Sequence, residues 1–252
     1  MRRGLGRSRW WLDGLRQAVD WLRPLSLAGV HRLLGRLGIH YKRGRRYVHS
    51  PDPAYVAKVA TLGYLRHRAQ ARSARITVLY ADEMTYARRP TVAQGYALSG
   101  RDAPRADQGL GSNTHRRIAA CVDVQTGRLF TWQRAHFAVA TLLRCYQEVE
   151  QAYPDAQRLY LVQDNWPVHF HPRLLAAFND NPASRLRLVR LPTYAPWLNP
   201  VEKLWRGLYQ EVLHLHPFAL AWDQTQAAVT GWLDQWSAQP QHLLRLLGVL
   251  RD

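Results

Sequence analysis

Cysteine is nearly absent: Cys121 and Cys145 stand far apart and outside any CxxC or Cys/His spacing. That leaves no basis for a disulfide framework or a zinc finger and fits a reducing cytoplasm. No apolar run approaches the roughly 20 residues that span a bilayer. Met1-Arg2-Arg3 carries the charge of a secretion signal, but Arg7, Arg9, Asp13 and Arg16 interrupt the apolar stretch that would have to follow. The expected location is therefore the cytoplasm, with no membrane partner. Acidic residues are also scarce, 18 Asp+Glu against 35 Lys+Arg, which gives a net charge of +17 and a pI near 10.7. A balance this basic calls for a polyanionic partner, and nucleic acid is the commonest. With 47% apolar residues the chain is a globular protein rather than a disordered basic tail.

The positive charge is concentrated at one end. Residues 1–50 hold 12 Lys+Arg against Asp13 and Asp20, a net of +10. Residues 9–22 read as a short helix ended by Pro24. Ser26 then stands as an N-cap before Leu27, Val30, Leu33, Leu34 and Leu37 at helical spacing, with Gly38 placed as a C′ glycine. A helix, a turn, a basic second helix and a basic strand pair would make a small winged helix-turn-helix over residues 1–52. Its candidate DNA contacts are His31, Arg32 and Arg36 on the second helix, and Lys42, Arg43, Arg45 and Arg46 in the run that follows. An amphipathic basic helix also serves as an ordinary solvated surface helix. Pro51-Asp52-Pro53 marks a boundary, residues 53–72 a linking helix, residues 73–216 a catalytic core and residues 217–252 C-terminal helices.

Within residues 73–216 the element types alternate. Ile76 to Tyr80 predicts a buried strand ending at Asp82, and residues 92–98 a second strand. Ile118–Val122 and Leu129–Trp132 predict a hairpin turning at Gln125-Thr126-Gly127. A helix over 138–153, a strand over 159–162 ending at Asp164, a helix over 171–179, a strand over 186–191 and a helix opened by Asn199-Pro200 complete an α/β sheet flanked by helices.

Three carboxylates stand out by position. Asp82 and Asp164 each follow a buried strand, at the edge of an α/β sheet where reactive groups collect. Glu202 lies in the first turn of a helix. If the three converge, their mutual repulsion demands a cation. An oxygen-only donor set favours Mg²⁺ or Mn²⁺ over zinc. Two such ions, about 3.5–4 Å apart, can activate a nucleophile and stabilise the leaving oxygen of a phosphodiester. Each residue has a plainer reading as well: Asp82 as a turn starter, Asp164 as a strand exit, and Glu202 as the third member of a capping box with Asn199 and Pro200.

The segment Leu191-Pro192-Thr193-Tyr194-Ala195-Pro196-Trp197-Leu198-Asn199-Pro200-Val201-Glu202-Lys203-Leu204-Trp205 resembles the third catalytic motif of mariner-type bacterial insertion-sequence transposases, which belong to the DDE superfamily endonucleases. Val162-Gln163-Asp164-Asn165-Trp166-Pro167-Val168-His169 is similar to their second motif and Tyr80-Ala81-Asp82-Glu83 to their first. Leu25 to Lys42 resembles the last helix and wing of the family's DNA-binding region. The likeness covers roughly residues 25–215. It implies an RNase H-like mixed sheet, catalytic and metal-binding roles for Asp82, Asp164 and Glu202, and Asp82 bridging two ions. Glu83, Asn165, His169 and Asn199 are the expected supporting residues around them. Two departures stand out. Less helix-turn-helix sequence precedes the basic helix than in other members, and Trp197 replaces a residue that is more often polar.

The resemblance implies metal-dependent cleavage of double-stranded DNA at element ends, followed by strand transfer into a target. Two ends require two active sites, so a homodimer on DNA is expected. The alternatives are a stand-alone RNase H-like nuclease and a non-catalytic DNA-binding relic.

Overall fold

Apolar runs with β-branched residues become the strands of one five-stranded sheet: β1 (Ile76–Ala87), β2 (His115–Asp123), β3 (Leu129–Arg134), β4 (Arg158–Gln163) and β5 (Leu186–Arg190). The computed structural model describes residues 10–42, 49–71, 75–98 and 103–250. Contacts divide the chain into two compact units, Met1–Tyr47 and Val48–Asp252.

In the larger unit the strand order is β3-β2-β1-β4-β5. The pairs β1/β2 and β2/β3 are antiparallel, as a tight hairpin and its continuation allow. The pairs β1/β4 and β4/β5 are parallel. Parallel pairs need crossover connections, and helices α4 (Val139–Gln151) and α5 (Pro172–Phe178) lie in those crossovers. Gly127 turns the β2–β3 hairpin with φ of +77°, where a Cβ would run into the Pro240 carbonyl.

The sheet's two-residue period sorts β1 into two layers. Val78, Tyr80, Met84 and Tyr86 join one apolar cluster with Ile118, Ala120 and Val122 of β2. That cluster is closed by α3 (Tyr55–Gln70), α6 (Val201–Leu208), α7 (Trp222–Ser237) and α8 (Pro240–Leu246). Leu79 and Ala81 join the other, with Ala119, Cys121, Leu159 and Leu161, under α4 and α5. The linking helix and the C-terminal helices are therefore walls of the sheet's own core.

The smaller unit holds α1 (Leu12–Ala18), a 3₁₀ turn (Asp20–Leu22) and α2 (Leu27–Arg36). Ser26 Oγ accepts from Gly29 N at 3.1 Å, which satisfies an orphan donor of α2. Gly38, at φ +71°, ends the helix as a C′ glycine, and Ile39 N donates to Leu34 O. Helix α2 buries Val30 and exposes His31, Arg32 and Arg36; Lys42 is exposed as well. Arg43, Arg45, Arg46 and the expected strand pair lie outside the described residues.

Two expectations need correction. Strand β1 does not end at Asp82 but runs on to Ala87, because β2 keeps pairing with it from Leu79↔Asp123 to Ala87↔His115. Residues 92–98 form no strand: Gly95 interrupts them, no strand pairs with them among the described residues, and Val92, Tyr96 and Leu98 are exposed. Nearby, Thr91 makes only an isolated bridge to His214. Among the described residues no helix is long and apolar enough to cross a membrane.

Candidate active site

Asp82 sits where β1 loses one of its neighbours. Pairing of β1 with β4 stops at Tyr80↔Val162, while pairing with β2 continues through Asp82↔Ala120. Being an even-numbered residue, Asp82 shares the face of Tyr80 and Met84, on which α6 packs. There its Oδ2 accepts a hydrogen bond from Trp205 Nε1 at 2.9 Å. Glu83, one residue on, belongs to the opposite face, beside His169. Two adjacent acids thus serve two layers.

Asp164 follows the last residue of β4. Its Oδ1 accepts from Trp166 N at 3.0 Å, which turns the chain into the short 3₁₀ segment Pro167–Phe170. That segment delivers His169 back beneath Asp164. His169 is 1% exposed, with Nδ1 2.8 Å from Asp164 Oδ1 and Nε2 3.0 Å from Glu83 Oε2. The first contact has the distance of an ion pair without good hydrogen-bond alignment, since Nδ1 has no well-formed hydrogen bond. Gln163 fixes the segment from below: its Nε2 donates to His169 O at 3.2 Å and its Oε1 accepts from Tyr146 Oη at 2.6 Å. Asn165 Nδ2 donates to Leu191 O at 2.7 Å and so ties the exit of β4 to that of β5.

Glu202 comes from α6, and the chain is held there by Asn199. Asn199 Oδ1 accepts from Val201 N at 3.2 Å, and its Nδ2 donates to Ala81 O at 3.0 Å. One side chain therefore opens the helix and ties it to β1 beside Asp82. The reciprocal half of a capping box is not made, because Asn199 N donates to Pro196 O. The Glu202 carboxylate is left to line the cavity.

Asp82, Asp164 and Glu202 share a cavity of about 570 Å³ with Asn165, Trp166, Thr193, Tyr194 and Asn199; among the described residues no Lys or Arg lines it. Their electrostatics differ. Burial, then Glu202 and Glu83, push Asp82 up to about 7, against the Trp205 hydrogen bond. Burial also raises Glu202, against Arg206. For Asp164 the effect of burial is outweighed by His169 and the Trp166 amide, and its pKa falls below the usual value. Burial opposes charge on His169, but Asp164 and Glu83 overcome it and hold the imidazolium up to about 10. Two carboxylates thus resist ionising together unless positive charge arrives, while the third is already matched by a cation. The three carboxylates among the lining residues offer oxygens of the kind a hard divalent ion prefers. Among the described residues, no three acidic, His or Cys side chains stand as close as the ligands of a single ion do.

The structure brings together seven residues picked out from the sequence: Asp82, Glu83, Asp164, Asn165, His169, Asn199 and Glu202. Trp205, the donor to Asp82, was not singled out; its place one helical turn after Glu202 is the sequence signal, since residues three apart share a helix face. Asp52, which in the sequence marks only a boundary, has a structural task. It binds Lys58 Nζ at 2.7 Å and Thr193 N at 2.9 Å, while Ser50 Oγ donates to Thr193 O at 2.5 Å. Residues 50–52 thereby brace the loop that leads to α6.

A mixed five-stranded sheet with a carboxylate-lined cavity at the exit of β4 defines an α/β protein. The chain belongs to the DDE superfamily endonucleases, whose family model matches residues 77–221. It is 25% identical over 222 residues to the insertion element IS630 uncharacterized 39 kDa protein of Shigella sonnei, covering 87% of this chain. The chain spans 62% of that relative's length. Its fold is similar to the crystal structure of the Mos1 mariner paired end complex with Mn, with a TM-score of 0.65 at 17% identity over 98% of this chain and 78% of the other. A pre-cleavage Mos1 transpososome gives a TM-score of 0.66 with the same identity and the same coverage of both chains.

Proposed function

We propose that this chain is an insertion-sequence transposase that cleaves DNA at element ends and joins the freed 3′ ends to a target, with Mg²⁺ or Mn²⁺ as cofactor. The observation that carries the proposal is the single cavity into which β1, the exit of β4 and the start of α6 bring Asp82, Asp164 and Glu202. Strand order β3-β2-β1-β4-β5 supports the RNase H-like reading of the sheet. The fold similarity to Mos1 structures, one of them a complex with Mn, supports the choice of metal.

In this reading Asp82, Asp164 and Glu202 hold the metal, with two ions as the expected number. When bound, the metal lowers the pKa of a water or 3′-hydroxyl and neutralises charge on the scissile phosphate. The protein's own part is positional. Trp205 orients Asp82, Asn199 fixes α6 against β1, and the Glu83–His169 pair holds Asp164 in place. The excess of positive charge supplies affinity for DNA, and exposed His31, Arg32, Arg36 and Lys42, together with Arg43, Arg45 and Arg46, are the proposed contacts of the N-terminal unit. A homodimer on DNA would bring one site to each element end. Activity in the bacterial cytoplasm, at the nucleoid, follows from that substrate.

The test is incubation of the full chain with supercoiled plasmid carrying the ends of its element. Nicked and linear products should form with Mg²⁺ or Mn²⁺ and not with EDTA, and joined products should follow. Cleavage without joining would indicate a nuclease. Binding without metal-dependent cleavage would overturn the catalytic reading. Affinity should fall steeply with salt, because phosphate contacts release counterions.

A further inference from the structure

Glu202, with Pro196 and Asn199, lines two cavities of different character. One is the acidic cavity described above. The other is a cavity of about 650 Å³, lined by Arg66 of α3, by Lys203, Trp205 and Arg206 of α6, and by Trp197 and Tyr209 at either end of that helix. Among the described residues Glu202 is the one carboxylate that lines it, while Arg66, Lys203 and Arg206 supply three cations.

Those cations are not equivalent. Lys203 Nζ donates to Leu247 O at 2.8 Å, at the end of α8, and so has a structural task. Among the described residues, the guanidinium groups of Arg66 and Arg206 have neither a hydrogen bond nor an ion pair, and both side chains are exposed. Arg206 is close enough to offset part of the rise that burial imposes on the Glu202 pKa, without closing on it. Each guanidinium thus has a free fork of donors of the geometry that suits a phosphate.

Trp197 is 50% exposed, yet its ring is held: Nε1 donates to Tyr55 Oη at 3.2 Å. A large aromatic kept half in water with its edge fixed is a ready stacking surface, and base stacking tolerates any sequence. The cavity has the size of a small-molecule site, about 300–1,000 Å³. It suits a short run of unpaired nucleotides rather than a duplex.

We infer that this second cavity binds a single-stranded segment of the nucleic acid, with Arg66 and Arg206 on its phosphates and Trp197 against a base. The inference rests on the transposase reading, in which a strand leaving the acidic cavity passes Glu202. It concerns binding alone and needs no metal.

The experiment measures equilibrium binding in EDTA by fluorescence anisotropy. The probes are a labelled duplex and the same duplex with a short oligothymidine extension on the 3′ or the 5′ strand. The extended probe should bind about tenfold tighter in at least one polarity, on the order of one stacked base. Trp197→Ala, and separately the double substitution Arg66→Ala with Arg206→Ala, should remove most of that gain and leave duplex affinity within about threefold; Trp197→Phe should keep it. The double substitution should also lower the salt slope for the extended probe by about 1.4, two phosphate contacts at ~0.7 each. Unchanged thermal melting of each variant shows that the fold is intact, since all three side chains are exposed. No gain from the extension, or a gain that survives both variants, overturns the inference while leaving the transposase reading in place. Failure to bind either probe overturns both.

Discussion

Asp164→Asn lowers strand cleavage by roughly three orders of magnitude or more, the scale seen when a residue central to catalysis is removed, while duplex binding stays within about twofold. The substitution is nearly isosteric. Asn can still accept the Trp166 amide through Oδ1, which keeps the turn into Pro167–Phe170. What disappears is the one carboxylate of the three whose pKa is held low and which is therefore ionised before any metal arrives. Asp82→Asn and Glu202→Gln have losses of the same order, for a different reason: both groups carry raised pKa values, and a cation favours their ionised forms. The three losses are far from additive, because a metal site with one ligand missing is already disabled. Cleavage assays on the single and double variants at fixed metal and DNA check this. Retention of cleavage in Asp164→Asn removes that residue from the active site.

His169→Leu destabilises the metal-free protein by about 3 kcal/mol, the low end of the cost of removing one member of a buried ion pair. The Glu83 side chain is only 14% exposed and would lose its cation, whereas Asp164, 54% exposed, would be rescued in part by water. For a unit of this size the melting temperature falls by roughly 6–12 °C. The effect has a pH signature. His169 has a folded pKa of about 10 against an ordinary value of 6.5. A raised pKa on a base contributes stability that is complete below the unfolded value and lost as pH rises through the folded one. The deficit of the variant is thus widest near pH 6 and shrinks between about 6.5 and 10. Urea unfolding at several pH values reads it directly. A deficit that does not change with pH would mean that His169 acts through packing rather than charge.

How much of this was legible beforehand differs from residue to residue. Asp164 and Glu202 are marked locally, one by a short apolar run that ends in Asp and the other by an Asn-Pro helix start, and local signals survive folding. The apolar run places the end of β1 too early, because a strand continues as long as a partner pairs with it. The alternation Met84, Tyr86 past Asp82 carried that information, but Asp82 itself broke the apolar run. The segment 92–98 has strand-forming residues and no partner strand among the described residues, so propensity gave way to topology. The roles of Trp205, Asn199 and Asp52 depend on contacts 123, 118 and 141 residues apart in sequence, which no local pattern encodes. The difference between Asp82 and Glu83 was within reach, since the two-residue period alone sends neighbours to opposite faces.

The central claim is that Asp82, Asp164 and Glu202 act together as a divalent-metal site, and calorimetric titration of Mn²⁺ into the full chain without DNA tests it most directly. Binding should be measurable near pH 7 and absent in Asp82→Asn. It should release protons, so that the heat depends on the buffer, because Asp82 is part-protonated at a pKa of about 7. The proton release should fade by pH 9 while binding persists. Equal Mn²⁺ affinity in the wild type and in all three single carboxylate variants would contradict the account.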